Sequence, residues 1–181
     1  MFLHLLVAET ATLNDLDSYL RQIWLECCGH LSSFEVIGKK YDNDWDSGEI
    51  GEKKEQKVVH LFQKGMKIQY LYDYGSTTQL EIRVVNEYHI KTSKKIVLLS
   101  RNEPLPILCH SCGKKPAAEI CTVCLYDGEA FFCKACAKKH AKTCEDFADY
   151  SGTEVVNSPR MGVCGYDGGM IDKKRDGVWK G

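Results

Sequence analysis

The N-terminal part of the chain changes from a strand pattern to a helical pattern of apolar residues. The apolar run over residues 2–8 predicts a β-strand. Over residues 13–28 the apolar side chains recur at the spacing of one helix face, and Gly29 follows, so the pattern predicts an amphipathic helix that ends there. Thr12, with Asp15 three residues later, predicts a capping box at the start of this helix.

Extended segments and turns follow the helix. Residues 30–37 predict a strand, and the acidic, glycine-containing segment 41–56 predicts a loop. Residues 58–62 predict another extended segment. Apolar and polar residues then alternate with period two over residues 66–74 and again over 80–84, with a glycine-containing turn between them, which predicts a β-hairpin.

A short apolar run and two prolines separate this part from the rest of the chain. Residues 96–99 predict a short buried strand. Pro104 and Pro106 mark a linker, because proline holds the residue before it in an extended conformation. The predicted organisation is a first domain at residues 1–104, a cysteine-rich module at 105–148 and a glycine-rich tail at 149–181 that can pack back on the first domain.

Cysteine is concentrated in one short segment. Three C-x2-C pairs, separated by eight residues each, are followed by a histidine and a cysteine at three-residue gaps, which gives seven thiols and one imidazole in 36 residues. A two-residue gap lets both sulfurs of a pair reach one ion, and zinc takes four such ligands in a tetrahedron. Two zinc ions per chain are therefore the expected cofactor. The eight predicted ligands are Cys109, Cys112, Cys121, Cys124, Cys133, Cys136, His140 and Cys144.

The spacing also predicts how the ligands divide. In a cross-braced module the first and third C-x2-C pairs share one ion. The second C-x2-C pair shares the other ion with the final histidine and cysteine, which form the fourth pair. Three of the ligands, Cys136, His140 and Cys144, are one helical turn apart and would lie on one face of a short helix. Both ions can therefore be anchored from that helix. The predicted groups are Cys109, Cys112, Cys133 and Cys136 on one ion and Cys121, Cys124, His140 and Cys144 on the other.

The cysteines fit a disulfide framework or an iron–sulfur cluster less well than they fit zinc. A disulfide framework belongs to a secreted chain, and one iron–sulfur cluster needs four thiolates, which would leave three cysteines and the histidine without a role. His110 stays outside the ligand set, because its neighbours already complete the count. Outside the segment, Cys27, Cys28 and Cys164 are expected to be small residues of the core.

In the order and spacing of these ligands the segment resembles the B-box and MYND families of small two-zinc modules. The similarity extends from Cys109-His110-Ser111-Cys112-Gly113 to Cys133-Lys134-Ala135-Cys136 and the histidine that follows. MYND fingers have a longer gap before the final histidine and cysteine, and B-boxes usually end with histidine where this chain has Cys144. The resemblance implies a structural module with two zinc ions.

Composition sets the scale of the protein and limits its partners. With 181 residues, of which 44% are hydrophobic, the chain can form one ordinary globular domain plus the module. A module this small buries little core, so metal binding must supply its stability.

The charge of the module limits its partners. Residues 105–148 carry 6 basic and 5 acidic side chains. Because seven thiolates exceed the charge of two zinc ions, the loaded module would be negative. No segment has the basic excess that nucleic-acid phosphates require, so DNA is not expected as the main ligand.

The sequence gives no sign of a membrane or an export signal. No run of eighteen apolar residues is present, as a transmembrane helix would need. Residues 1–8 are short and lack a basic flank, so they predict a strand rather than a signal peptide. Together with the many thiols, this predicts a cytoplasmic protein without a membrane partner.

Four motifs in the first part of the chain carry a second resemblance. They are Thr12-Leu13-Asn14-Asp15-Leu16, Trp24, His30-Leu31-Ser32-Ser33-Phe34 and Tyr70-Leu71-Tyr72-Asp73-Tyr74-Gly75. Over residues 2–88 the chain resembles the plasmid-borne "open reading frame three" proteins of root-inducing plasmids, also known as passenger TnpR-like proteins of an insertion element. The resemblance implies an α+β fold, with an antiparallel sheet and one main packed helix, to which the cross-braced two-zinc module is added. It implies no settled activity.

Several residues outside the cysteine segment are candidates for chemistry. Tyr70, Tyr72 and Tyr74 lie two apart on one strand face, where they are expected to pack in the core, and Asp73 on the opposite face is expected to form the turn. A nucleophilic Cys164 would need a histidine or a cation nearby, and the sequence places none beside it. The scattered histidines, His30, His60 and His89, are expected to be solvated or hydrogen-bonded.

These observations predict a non-enzymatic zinc-binding protein of a mobile-element-associated type. Eight protein ligands for two tetrahedral ions leave no coordination position open for water or substrate, so the module is expected to be a scaffold that recognises another protein. The alternative is a nucleic-acid-binding accessory protein of a plasmid or insertion element. That alternative would use the tyrosine strand and the lysines of the predicted helix, Lys134, Lys138, Lys139 and Lys142.

Overall fold

The computed structural model describes residues 1–42 and 52–171. The chain forms two compact units. Among the described residues, the first comprises residues 1–21, 28–42 and 52–102, and the second comprises residues 22–27 and 103–171. Both units combine short helices with antiparallel strands, which confirms the predicted α+β class. No helix in the described ranges has the length and apolar character needed to cross a bilayer.

A five-stranded sheet forms the centre of the first unit. The strand order is β4-β3-β2-β5-β6, antiparallel except for the pairing of β3 with β4. Its strands β5 and β6 form the predicted hairpin, with Tyr72 opposite Thr78 at the turn end. The strands are β2 (Ser32–Val36), β3 (Lys39–Asp42), β4 (Glu52–Lys53), β5 (Lys67–Tyr72) and β6 (Thr78–Arg83).

Helix α1 (Leu13–Leu20) begins as the sequence predicts. The Thr12 hydroxyl accepts a hydrogen bond from the Asp15 backbone N–H, and the Asp15 carboxylate accepts one from the Thr12 backbone N–H, which completes the capping box. The helix continues as a π-helical turn (Arg21–Leu25) and ends there, before the predicted limit of residue 28. The wider turn places Ile23, Trp24 and Leu25 among the buried residues.

Strands β1 (Leu3–Val7) and β7 (Ile96–Arg101) pair antiparallel in a separate two-stranded sheet of the first unit. The predicted strand over 96–99 is thus present, but the expectation that it is buried was wrong. Leu98 is half-buried and Leu99 is exposed. Two-stranded sheets leave much of their surface open, so an apolar run here did not indicate a central strand.

The segment before β5 also differs from its prediction. Residues 58–62 were predicted to be extended, but Val58–Leu61 form a short helix, α2, closed by a hydrogen bond from Phe62 N–H to the Val58 carbonyl. A short apolar run does not distinguish a strand from a helical turn.

The predicted loop over 41–56 was partly wrong, because β3 and β4 occupy its ends. Residues 43–51 lie outside the described ranges.

Alternating side chains of β5 make the core of the first unit. Ile68, Tyr70 and Tyr72 are fully buried, and Phe34 of β2 packs against Tyr70 with ring centroids 4.7 Å apart. These residues share one sheet face because they are two apart along the strand. The predicted packing role of Tyr70 and Tyr72 is confirmed, whereas Tyr74, beyond the end of the strand, is exposed.

A buried ion pair lies beside this core. The Asp17 Oδ1 atom accepts hydrogen bonds from the Tyr70 hydroxyl (2.7 Å) and the Ser32 hydroxyl (2.6 Å), and the Lys54 Nζ atom lies 3.3 Å away. Arg21 donates to the other oxygen at 2.9 Å. Burial alone would raise the pKa of Asp17, but Lys54, the Ser32 hydrogen bond and Arg21 together lower it. The carboxylate therefore links α1 to the sheet in its charged form.

The second unit contains a three-stranded antiparallel sheet in the order β10-β8-β9. Its helix α3 (Lys134–His140) directly follows β9, and a π-helical turn (Phe147–Ser151) leads into β10. A 3-10 turn (Cys124–Asp127) follows β8. The strands are β8 (Glu119–Cys121), β9 (Phe131–Phe132) and β10 (Gly152–Glu154).

Replacing Asp17 by asparagine is expected to lower the free energy of unfolding of the first unit by about 3 kcal/mol, because Lys54 would stay buried after losing its ion-pair partner. The folded-state pKa of Asp17 is lowered, so its stabilisation is present above the unfolded pKa and is lost as pH falls through the folded pKa. The variant should therefore lose less stability in acid than the wild type. Hydrogen exchange of the β5 amides between pH 3 and 7 measures both effects.

Glu35→Gln is the matched control for Asp17→Asn, since Glu35 is an exposed acid on β2 of the same unit. Its stability should stay within about 0.5 kcal/mol of the wild type. An Asp17→Asn variant as stable as this control would show that the ion pair does not support the fold.

Thr12→Ala removes the hydroxyl that caps α1 and is expected to cost about 1 kcal/mol of stability. Thr12→Ser keeps the oxygen and should lose much less. Chemical denaturation of the three proteins, followed by circular dichroism, makes the comparison, and equal losses in both variants would argue against a role for the cap.

Candidate metal centre

Four cysteines from two C-x2-C pairs meet in the first group of the second unit. The sulfurs of Cys109, Cys112, Cys133 and Cys136 all lie within 4.8 Å of one another. The first pair lies on a tight turn in which Gly113 takes a positive φ of 62° and donates its N–H to the Cys109 carbonyl at 2.8 Å. This backbone conformation favours glycine.

The second group combines three cysteines with the histidine. The sulfurs of Cys121, Cys124 and Cys144 and a ring nitrogen of His140 also lie within 4.8 Å of one another. The His140 Nε2 atom is 3.5 Å from the Cys124 sulfur. The two groups contain the eight predicted side chains, divided as the cross-braced spacing predicts, and each has the four ligands that a tetrahedral zinc site requires.

Helix α3 supplies residues to both groups. Cys133 precedes the helix and Cys136 lies in its first turn, so both belong to the first group. His140 ends the helix, and the Cys144 N–H continues the turn by donating to the His140 carbonyl at 2.9 Å. One short helix therefore fixes the distance between the two groups.

A small apolar core supports the second group. Cys121, Phe132, Ala137 and Phe147 are buried together. The His140 ring stacks on Phe132, with ring centroids 4.2 Å apart and planes inclined by 22°, and its edge meets Phe147. These contacts fix the orientation of the imidazole, as the surroundings of a metal ligand usually do.

The thiols of the two groups differ in acidity, because burial, backbone hydrogen bonds and neighbouring thiols act on them differently. Burial opposes ionisation of Cys109, but the backbone N–H groups of Cys133 and Cys112 lower its pKa to about 6. In the second group, burial and then the hydrogen bond and charge of Cys121 raise the pKa of Cys124 to about 12. Closely placed thiolates repel one another, so a full set can ionise only around a cation. The donor set therefore fits a divalent metal ion with affinity for sulfur.

No disulfide joins any of the ten cysteines, all of which lie in the described ranges, so these groups contain none. His110, which the sequence analysis kept outside the ligand set, accepts a hydrogen bond at its Nδ1 atom from the Ala130 N–H at 3.2 Å. Asp73 has a positive φ of 63° and accepts hydrogen bonds from the Gly75 and Ser76 N–H groups, so it forms the predicted turn.

A groove of about 500 Å³ adjoins both groups on the surface of the second unit. Acidic and basic side chains line it together, with Asp127 and Glu129 as the acids and Lys139 as a base. Beside the groove, the 3-10 turn that follows Cys124 exposes Leu125 and Tyr126, and 93% of the Tyr126 side chain is accessible to solvent.

The expectation that Cys27, Cys28 and Cys164 are core residues was wrong. Cys27 is only half-buried, and Cys28 and Cys164 are exposed. In the first unit, the Cys28 sulfur lies 2.9 Å from the His30 Nε2 atom. In the second unit, the sulfurs of Cys27 and Cys164 lie within 4.8 Å of each other. The sequence Cys27-Cys28-Gly29-His30 lacks the C-x2-C spacing of the predicted zinc ligands, so that pattern did not identify these contacts.

Comparison with known proteins places the chain in a family. A solved structure, that of the protein of unknown function MM3350 from Methanosarcina mazei Go1, is 23% identical in sequence, with a TM-score of 0.38. That match covers 57% of this chain and 56% of the other, so it spans just over half of either protein. No curated protein matches the sequence. The model of the plasmid pRiA4b ORF-3-like protein family matches residues 3–154, and the chain therefore belongs to that family.

Proposed function

We propose that this chain is a non-enzymatic, mobile-element-associated protein whose segment 109–144 binds two zinc ions and serves as a scaffold for recognising another protein. The observation that carries the proposal is the meeting of two four-ligand groups at helix α3. Three thiolates with an imidazole, or four thiolates, are ligand sets typical of structural zinc.

A structural role follows from the number of ligands. Four protein side chains complete a tetrahedral shell, so neither ion would keep a position for a reacting water molecule. The core of this segment is small, with Cys121, Phe132, Ala137 and Phe147 as its buried centre. Such a core cannot offset the entropy lost on folding, and metal coordination supplies the difference.

Exposed apolar side chains on the loaded scaffold favour recognition of a protein. Val123, Leu125 and Tyr126 all reach solvent from the turn that holds Cys124. Tyrosine in an exposed position is common where proteins bind each other, because its ring buries a large area with few rotatable bonds. The charged groove beside the turn would add polar contacts at the edge of that surface.

Nucleic-acid binding is the second candidate, supported by the lysines of the α3 region. Lys134, Lys138, Lys139 and Lys142 are all exposed. Tyr70 and Tyr72, which would have stacked on bases, are buried and thus unavailable. Since thiolates coordinated nearby would add negative charge to the same module, protein recognition remains the better proposal.

Zinc content tests the scaffold directly. The purified chain is expected to hold at least two zinc ions, measured by native mass spectrometry. Replacing both cysteines of the first C-x2-C pair, with Cys109→Ser and Cys112→Ser together, should lower the number of bound zinc ions by one, because the second group keeps all its ligands. Ser111→Ala, between the same two cysteines, is the control and should leave the number of zinc ions unchanged. Fewer than two ions in the wild type would contradict the proposal.

Chelation should unfold only part of the protein. With zinc removed, hydrogen exchange across residues 109–144 is expected to become fast, while β5 and β6 of the first unit keep their protection, because their core contains no ligand of either group. Protection retained in segment 109–144 after complete chelation would show that the metal is not its scaffold.

Two binding measurements separate the candidate partners. Peptides selected from a displayed library against the zinc-loaded protein are expected to bind at least about 10-fold more weakly to Tyr126→Ala, whose zinc count should be unchanged. Tyr150→Ala, at another exposed tyrosine, is the control.

The second measurement is binding of duplex DNA at low salt. Tight binding that falls steeply with added salt, and that is lost in the double variant Lys138→Ala with Lys139→Ala, would instead favour the nucleic-acid candidate.

A further inference from the structure

We propose that Cys27 and Cys164 are a redox-sensitive pair of thiols, which a hydroperoxide oxidises to a reversible disulfide. Both cysteines belong to the second unit, and their sulfurs lie within 4.8 Å of each other. Neither belongs to the two ligand groups at α3, so the inference goes beyond the proposed function and does not depend on it. Cys164 also lies beyond residues 3–154, the part of the chain that the family model matches.

Contacts within the second unit hold the tail beside the short N-terminal segment of that unit. The Ser158 hydroxyl donates to the Trp24 carbonyl at 2.6 Å. Gly169 lies so close to the same segment that an added Cβ would be 2.4 Å from the Gln22 carbonyl oxygen. Cys164 lies between these two contact points along the chain. Its approach to the other sulfur is therefore a property of the folded unit.

Consecutive turns hold the backbone on both sides of Cys164. The Val163 N–H donates to the Arg160 carbonyl at 3.1 Å, and the Tyr166 N–H donates to the Val163 carbonyl at 3.0 Å. Tyr166 is buried, whereas Cys164 is exposed. The proposal requires that side-chain rotation bring the two sulfurs to the bonding distance of about 2.05 Å.

A buried arginine favours Cys27 as the thiol that reacts first. The Arg160 side chain has no exposed surface, and its Nη2 atom donates to the Cys27 sulfur at 3.6 Å. A cationic donor beside a sulfur stabilises the thiolate, which is the nucleophilic form of cysteine. Cys27 is half-buried, which suits an oxidant as small as hydrogen peroxide. Cys164 then acts as the resolving thiol.

The oxidation has two balanced steps. The Cys27 thiolate attacks one oxygen of hydrogen peroxide, so that an S–O bond forms, the O–O bond breaks and hydroxide leaves. The Cys164 sulfur then attacks the sulfenic acid, the S–O bond breaks, and the departing hydroxide takes the Cys164 thiol proton to give water. The two sulfurs lose two electrons, which the peroxide gains. Because Cys164 is exposed, a thiol reductant can attack the disulfide and reverse it.

Peptide mapping of the zinc-loaded full chain after brief treatment with hydrogen peroxide tests the proposal. Trypsin is expected to release peptide 22–39 joined to peptide 161–173, and dithiothreitol should separate them. Cys28→Ser is the matched control, because it changes the adjacent cysteine of the same peptide. The link should persist in this control and be lost in both Cys27→Ser and Cys164→Ser.

Two results of this mapping would overturn the proposal. One is the absence of a link between the two peptides in the oxidised wild type. The other is a link that is lost in Cys28→Ser but retained in Cys27→Ser. Oxidation confined to cysteines of segment 109–144 would also contradict it, while the zinc content of the untreated protein would still decide the proposed function separately.

Trapping of the sulfenic acid tests the assigned order of attack without changing the buried arginine. In Cys164→Ser the resolving thiol is missing, so dimedone should label Cys27 after peroxide treatment. In Cys27→Ser, labelling of Cys164 should be at least about 10-fold slower, because no guanidinium contact favours its thiolate. Faster labelling of Cys164 than of Cys27 would contradict the roles proposed for the two thiols.

Discussion

Repulsion between crowded thiolates is the constraint on which the second unit depends. Two sets of ligand atoms, each within 4.8 Å, hold seven of the ten cysteines and one histidine. In the second set, burial and then the hydrogen bond and charge of Cys121 raise the pKa of Cys124, so without a cation these sulfurs ionise only in part. A divalent ion in each set would offset the repulsion between the thiolates, and its coordination would stabilise the fold.

The two units differ in the interactions that stabilise their folds. The first has a sheet core of Phe34, Ile68, Tyr70 and Tyr72, with a buried ion pair that fixes its helix. Such a unit can fold through apolar burial. The cysteine-rich segment of the second unit has too little apolar surface for that, so its order is proposed to come from two sets of metal ligands, to both of which α3 contributes. Recognition surfaces on such scaffolds stay rigid without a large core.

Much of this organisation could be predicted from the sequence, because the strongest signals are periodic. The alternation of Tyr70 and Tyr72 predicted a buried strand face, the Thr12 and Asp15 pair predicted the start of α1, and regular C-x2-C spacing predicted both ligand groups. Local patterns failed where tertiary contacts decide the outcome. Val58 and Val59 have the composition of a strand but form a helical turn, and the π-helical turn after α1 has no sequence signature. Cys27 and Cys164 are 137 positions apart, so only the fold could bring their sulfurs together.

In the proposed scaffold, sulfur and imidazole would complete the coordination shell of each zinc ion, and X-ray absorption at the zinc edge of the purified protein tests this directly. We predict a four-coordinate shell dominated by sulfur at about 2.3 Å, with nitrogen as the minor component and no oxygen. A shell containing a water oxygen, or one in which oxygen and nitrogen outnumber sulfur, would contradict the closed coordination on which the scaffold role depends.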